Sequence, residues 1–416
     1  MTTSSPASGA LPASDAAAPG ATGPRQAGRL QGILLLLGSC LPILGAVLIA
    51  PVLPDIEDHF SDVPGAEALV PVALTIPSLA VGLLAPFAGR IVDAVDRKRL
   101  LLVALAVYAV VGTAPLWLDS LPAIVASRAL VGVTEAAIMT CCTTLLGDYF
   151  AGKARDRWLA LQTVCTAIAA TLFFALGGAL GSAGWRTPFW AYAVSLVLLP
   201  LMAMYIWQPE RPRSAGARNR KLVPVPWKLL AAPLVVTLFG AVVFYVIPVE
   251  FSYILDELGI TASGTIGLAT AITSLATVAG ALTFSRVSRR GPVALLPVAF
   301  GFAAVGLGIV AAAGSMPVAV AGASIASYGT GLLLPTLVTW AMSVLTFEQR
   351  GRGTGTWTAA FFIGQFVCPL IVLALQAGVD GLLAAIGVLA AASAVAAVAS
   401  VAAGRAGRLP AGADAH

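Results

Sequence analysis

The sequence predicts an all-α membrane protein with twelve transmembrane helices, and three observations carry that prediction. Uncharged apolar runs recur along the chain at about twenty residues, the helical length that crosses a hydrocarbon core about 30 Å thick. The chain is 59% hydrophobic and only 10% charged, with a mean hydropathy of +0.93, well outside the composition of a soluble domain. The charges also sort by loop. With twelve spans drawn, 22 of the 24 Lys and Arg residues fall in the tails or in loops after even-numbered spans, the exceptions being Arg128 and Arg186. The opposite loops hold acids: Asp55, Glu57, Asp58, Asp62 and Glu67 after the first span, Asp256 and Glu257 after the seventh. Because Lys and Arg stay on the cytoplasmic side, both termini are expected there. Helices are required, since a lone strand leaves backbone groups unpaired in lipid.

Taken in order, residues 1–29 are rich in Ser, Ala, Pro and Gly and are expected to form a disordered cytoplasmic tail. The apolar run after it is too long for a secretory signal. The first six spans are read at 32–53, 68–88, 100–118, 121–146, 158–182 and 187–207, each closed by a short polar loop. Residues 208–228 carry four prolines, six basic residues and one acid, and form a cytoplasmic linker. The second six spans are read at 229–254, 264–285, 291–313, 316–345, 354–377 and 381–403, with a short cytoplasmic tail at 404–416. Two six-helix bundles, 30–207 and 229–403, are therefore expected. The halves also echo each other. Phe150-Ala-Gly-Lys153-Ala-Arg155 recurs as Phe347-Glu-Gln-Arg350-Gly-Arg352 at an offset of 197, and Gly89-Arg90-Ile91 recurs as Ser285-Arg286-Val287 at 196. The shared offset points to duplication of a six-helix unit in one orientation, with a pseudo-twofold axis along the membrane normal.

The loop after the second span reads Gly89-Arg-Ile-Val-Asp93-Ala-Val-Asp96-Arg97-Lys98-Arg99. It resembles the signature loop of the major facilitator superfamily: a Gly, three residues, an Asp, then a basic cluster. The family usually has a second Gly where Asp96 stands. With twelve spans, a basic central loop and duplicated halves, the resemblance covers about residues 30–403. Physically, Gly89 would remove a side chain where two helices cross closely, and Asp93 would place an anion at a helix end, where it meets a cation or a helix N-terminus. The resemblance implies that Asp93 braces the start of span eleven near Gly353-Thr354. It also implies that Gly89, Asp93, Arg97, Lys98 and Arg99 work in conformational gating. The plainer reading leaves Asp93 and Asp96 as solvated charges balancing the basic cluster.

Span four contains Arg128-Ala-Leu-Val-Gly132-Val-Thr-Glu135, which resembles a family motif with an Arg at this place and a Gly four residues on. Arg128 and Glu135 are seven apart and share a helix face. Charges inside a span are costly and mark ion or substrate pathways. Glu135 is therefore the leading candidate for proton coupling, with burial and the nearby Arg128 acting on its charge in opposite senses. A permanent Arg128–Glu135 ion pair that fixes packing is the competing reading. Glu250, near the outer end of span seven, reads either as a second titrating or gating group or as a marker of the water boundary. Gln162, Tyr328, Trp340, Trp357, Phe361 and Gln365 are candidates to line a substrate cavity, with helix packing as the alternative for each. In span five, Phe173-Phe174 stands where proton-driven exporters of the family carry Gly-Pro, while the following Gly177-Gly178 is retained. Half of the export signature is present.

Other chemistries find no residues to build on. The five cysteines, Cys40, Cys141, Cys142, Cys165 and Cys368, all lie in spans without a CxxC pair, so neither a disulfide framework nor a metal site is expected. Two histidines, with no HExxH and no P-loop, supply neither an enzyme centre nor ATP-driven pumping. Topology accounts for the net charge of +5 without a nucleic-acid partner. The expected protein is a secondary transporter without cofactors. It is monomeric, sits in a bacterial cytoplasmic membrane and moves a small organic molecule by alternating access. Proton antiport for export is the first reading and proton-linked uptake the second, followed by a non-transporting membrane sensor or assembly protein.

Overall fold

The computed structural model describes residues 27–209, 224–346 and 348–410, with the side chains of Asp93 and Ala94 excepted. Most of the expected N-terminal tail, most of the linker, the C-terminal 411–416 and Phe347 of the repeated loop lie outside the described residues. The first half runs α1 (Arg29–Val47), α2 (Leu53–His59), α3 (Ala66–Ala94), α4 (Arg97–Thr113), α5 (Leu121–Tyr149), α6 (Gly152–Gly181) and α7 (Val194–Tyr205). The second runs α8 (Trp227–Glu257), α9 (Ser263–Val287), α10 (Gly291–Ala311), α11 (Met316–Ser343), α12 (Arg350–Gln376) and α13 (Leu382–Arg405). Eleven stretches are long and apolar enough to cross a membrane among the described residues. One of them, Ser263–Ala311, is two helices parted by a 3-10 turn at Ser288–Arg290. That makes twelve crossings.

Helix lengths differ from the apolar runs for identifiable reasons. Lys153, Arg155 and Arg157, read from sequence as loop, stand in the first turns of α6. An apolar run measures the thickness of the hydrocarbon, and a helix continues into water after its side chains turn polar. Proline works in the other direction. The first predicted span breaks at Val47, because Pro51 and Pro54 lack the N–H that a continuing helix needs, and the chain passes through a 3-10 turn before α2. The sixth begins as a 3-10 segment, Thr187–Ala193, with Pro188 at its start. Inside the spans many hydroxyls donate to carbonyls of their own helix, as Ser39 does to Leu35 O at 2.7 Å and Thr270 to Ile266 O at 2.8 Å. Polar side chains are thereby satisfied without leaving the lipid-embedded helix.

Within each half the helices form a bundle, α3 packing on α5 and α10 packing on both α11 and α13. The halves meet along two seams, α3 against α12 and α6 against α9. In span numbers these are two with eleven and five with eight. Exchanging the halves shifts each number by six and converts one pair into the other, which is the twofold relation the repeated loops imply. The seams close where side chains are missing. A Cβ on Gly82 would stand 3.3 Å from Ala359 O, and one on Gly355 3.1 Å from Ala85 O; on the other seam Gly178 and Gly267 face each other, a Cβ on either lying 2.7 Å from the other's Cα. Gly89, expected at such a crossing, has open space around it. The close approach of α3 and α12 falls one to two turns earlier, at Gly82 and near Ala85.

Candidate functional site

The charged centre is built on the end of one helix and a proline inside another. α1 ends in the protein interior, which leaves its last carbonyls without intrahelical donors. Leu48 N donates to Leu44 O at 3.0 Å, and the next two carbonyls are met from other elements. Arg128 Nη2 donates to Gly45 O at 2.6 Å, and Tyr245 Oη of α8, from the other bundle, donates to Ala46 O at 2.7 Å. The second free carbonyl lies inside the continuous helix α3. Pro77 has no N–H to give Ala73 O, and Arg128 Nε donates to that carbonyl at 3.2 Å. Arg128 Nη1 donates to Tyr192 Oη at 2.5 Å. α5 comes close enough for this because Gly132, one turn after Arg128, sits on the backbone of Pro77, a Cβ there standing 2.5 Å from Pro77 Cα. Arg128 is wholly buried. A cation at the C-terminus of α1 also opposes the negative end of that helix.

Glu135 is 3% exposed, and its Oε1 has no hydrogen-bond partner among the described residues. The carboxylate lies directly against Gly45, where a side chain would occupy its place. The expected alternative of a direct Arg128–Glu135 ion pair is not formed. The guanidinium is spent on two carbonyls, freed by the end of α1 and by Pro77, and on the Tyr192 phenol. Tyr108, Tyr192 and Tyr245 lie within electrostatic range of Glu135, and Tyr108 Oη donates to Leu41 O at 2.7 Å. Glu135 thus sits among α1, α5 and the Tyr245 contact that joins the two bundles.

Glu250 is 4% exposed rather than at a water boundary. The end of α8 is covered by α2 of the first half, with Glu57 the nearby carboxylate. Gln162 bridges three helices, its Nε2 donating to Ser39 Oγ at 2.7 Å and to Thr143 Oγ1 at 3.0 Å. Gln365 lies on the α3–α12 seam and accepts from Ser78 Oγ at 3.1 Å. Trp357 and Phe361 stack at 5.7 Å with 1° between their planes, Phe244 lies 5.8 Å from Phe361, and the Trp357 indole N–H is buried without a partner among the described residues. Tyr328 lies elsewhere, donating to Thr283 Oγ1 at 3.1 Å on the α9–α11 contact. Trp340 is buried in the apolar core of the second bundle beside Leu337 and Phe300.

In the signature loop, Asp96 Oδ1 accepts from Arg99 N at 2.9 Å and caps α4. The residue that stands where the family carries a Gly is thus an N-cap. Arg97 pairs with Asp148 at the end of α5, and Lys98 Nζ donates to Ala203 O of α7 at 2.8 Å. This loop therefore ties α4 to α5 and α7. The backbone of Asp93 lies in the last turn of α3, and its side chain is outside the described residues. Gly177-Gly178 meets the backbone of Leu48 on one side and of Ser263 on the other. At the acidic end Ser263 Oγ donates to Asp55 Oδ2 at 2.7 Å, beside a cleft of about 770 Å³. Sequence reading missed Gly45, Tyr192 and Tyr245. Tyrosines and glycines carry no charge signal, and their parts depend on where helices break and cross.

Twelve crossings in two bundles, related by a twofold and joined around buried charge, define a polytopic membrane protein of two repeated halves. The chain belongs to the Major Facilitator Superfamily, whose model matches residues 35–251 and again 234–413. It is 32% identical over 139 residues to Protein spinster homolog 3 of Danio rerio, covering 32% of this chain and 27% of that protein. It is 26% identical over 188 residues to the class H tetracycline resistance protein of Pasteurella multocida, covering 45% and 47%. These matches thus span about a quarter to about half of those relatives' length. A longer match, 28% identical over 315 residues, joins it to the 3-(3-hydroxy-phenyl)propionate transporter of Escherichia coli strain K12, covering 71% and 76%. The fold resembles a bacterial homolog of the human lysosomal transporter Spinster in an inward-facing, occupied conformation, with TM-score 0.68, 16% identity and coverage of 91% and 92%. It also resembles the D-xylose–proton symporter, with TM-score 0.72, 14% identity and coverage of 89% and 97%.

Proposed function

We propose that the protein is a proton-coupled antiporter that exports a small organic compound by alternating access, as a monomer in a bacterial cytoplasmic membrane with both termini cytoplasmic. The observation that carries the reading is Glu135, a buried carboxylate with an unpartnered oxygen, placed one residue from the carbonyl through which Tyr245 ties the bundles together. Rocking the bundles apart at that end breaks the Tyr245–Ala46 bond and admits water to Glu135. Rocking them together encloses it. A group that alternates between a wet and a dry setting loads and releases a proton as the carrier changes face. Glu250, buried beside Glu57, is the second candidate for proton coupling.

The stacked Trp357 and Phe361, the free indole donor, and Gln162 and Gln365 on the helix contacts suit an organic molecule with a flat apolar part and a polar acceptor. The tetracycline resistance relative and the retained Gly177-Gly178 support export. One observation favours proton-linked uptake as the second reading. With Phe173-Phe174 in place of Gly-Pro, α6 runs unbroken from Gly152 to Gly181. Proteoliposomes loaded with a pH indicator test coupling directly: substrate added outside enters in exchange for protons, so antiport should raise the internal pH, whereas proton-linked uptake would lower it. Transport without any proton movement would sink the coupled reading.

Orientation has its own test. Single cysteines placed in 89–99, 208–228 and 55–67, in a background without native cysteines, should react with an impermeant reagent from outside only in 55–67. External labelling of 208–228 would reverse the topology. For the gating proposal, Asp93→Asn should slow transport severalfold with expression and insertion near normal. A charge at a helix end is worth about 0.3–2 kcal/mol, too little to unfold twelve helices and enough to shift a balanced equilibrium. Wild-type turnover in the variant would return Asp93 to a solvated charge.

A further inference from the structure

A cavity of about 560 Å³ lies where the first turns of α1 and α6 meet at the basic end of the bundle. Arg29, Lys153 and Arg157 line it together with Trp158, Ile33 and Leu161, and its lining contains no acid. None of the three cations pairs with a carboxylate among the described residues. Trp158 is fixed in place, lying on Gly32 with its ring 2.5 Å from where a Cβ would stand and stacked 5.1 Å from Phe150. The start of α6 also has no side-chain cap, so its first N–H groups remain available.

The face above this cavity is apolar and uncovered by any of the described residues. α1 and α6 run side by side and both start at the basic end. From Ile33 the exposed side of α1 continues through Leu37, one turn on. From Leu161 the exposed side of α6 continues through Val164, Ile168 and Leu172 at helical spacing. Gln162, Thr163 and Thr166 occupy the opposite side of α6, where Gln162 meets α1 and α5. The apolar side is therefore the one turned to the bilayer, and the molecule available to cover it is a lipid.

We propose that this cavity holds the phosphate headgroup of an anionic phospholipid, with an acyl chain lying in the furrow between α1 and α6. Three cations with no carboxylate partner among the described residues supply the charge complement of the phosphate, a tryptophan stands beside them, and the apolar sides of α1 and α6 begin where the acyl chain must leave. A soluble phosphate would use the cations and leave the furrow unused.

Native mass spectrometry of the full-length purified protein tests this, with phosphatidylglycerol and phosphatidylcholine as probes. Wild type should retain one phosphatidylglycerol in preference to phosphatidylcholine. The triple variant Arg29→Gln, Lys153→Gln, Arg157→Gln should bind it about two orders of magnitude more weakly. A second triple variant, Arg286→Gln, Arg289→Gln, Arg290→Gln, removes equal charge from the same end and should keep it. If the first triple does not fold, Arg157→Gln alone should still show about a fivefold loss. Equal retention by wild type and the first variant, or equal loss in both triples, would overturn the site. Displacement of the lipid by millimolar inorganic phosphate would make it a soluble-anion site and overturn the lipid assignment.

Discussion

Glu135→Gln is expected to abolish gradient-driven transport while leaving substrate binding and substrate–substrate exchange intact. Glutamine copies the size and polarity of the protonated carboxyl and can no longer lose the proton. It occupies the same space against Gly45, so the packing of α1 on α5 is kept. Exchange needs no net proton movement and persists, whereas accumulation or efflux against a gradient requires a group that changes its proton with the face of the carrier. The measurement is paired: uptake or efflux driven by an imposed pH gradient, and exchange of labelled for unlabelled substrate in the same proteoliposomes. Full proton-driven transport in Glu135→Gln would make Glu135 structural and move the proton to Glu250 or to a different coupling ion.

Arg128→Ala is expected to do broader damage, lowering both thermal stability and transport. The substitution removes the donors to Gly45 O and Ala73 O, two carbonyls that lost their helical partners to the end of α1 and to Pro77. Each buried group left unpaired costs about 1–3 kcal/mol, so the pair amounts to about 2–6 kcal/mol before the cavity is counted. The guanidinium also leaves Tyr192 without its 2.5 Å donor. The thermal midpoint of the detergent-solubilised protein should fall by several degrees, and exchange should fail along with gradient-driven transport. That failure of exchange separates it from Glu135→Gln. A midpoint and an exchange rate equal to wild type would show that Arg128 does not anchor the end of α1 and the free carbonyl before Pro77.

The two variants differ in kind because the residues do. From the sequence alone they looked like partners, seven apart on one helix face. In the structure they are neighbours with separate acceptors, Arg128 on backbone oxygens and Glu135 against a glycine. Which residues lie in the membrane was legible, because each side chain contributes its transfer free energy locally and the sum over about twenty residues is read directly from the chain. The family was legible from the loop around Asp93, and the cause of its departure was not. Asp96 caps α4, a role set by where that helix starts. Gly89 shows the opposite failure, a glycine whose crossing lies about two turns away at Gly82.

By itself the sequence determined the twelve crossings, the duplicated halves and the family of the protein, together with the two ends that the charges distinguish. These follow from hydrophobicity and charge summed along the chain, and from short motifs with a fixed spacing. Only the tertiary structure decided which helices form the seams and that Glu250 is buried. It also decided that Arg128 and Tyr245 meet adjacent carbonyls at the end of α1. Every residue carries the same carbonyl, so its need for an outside donor exists only where a helix stops or a proline interrupts it. Whether a donor arrives depends on how closely two helices approach, as Gly132 lets α5 lie on the backbone of Pro77.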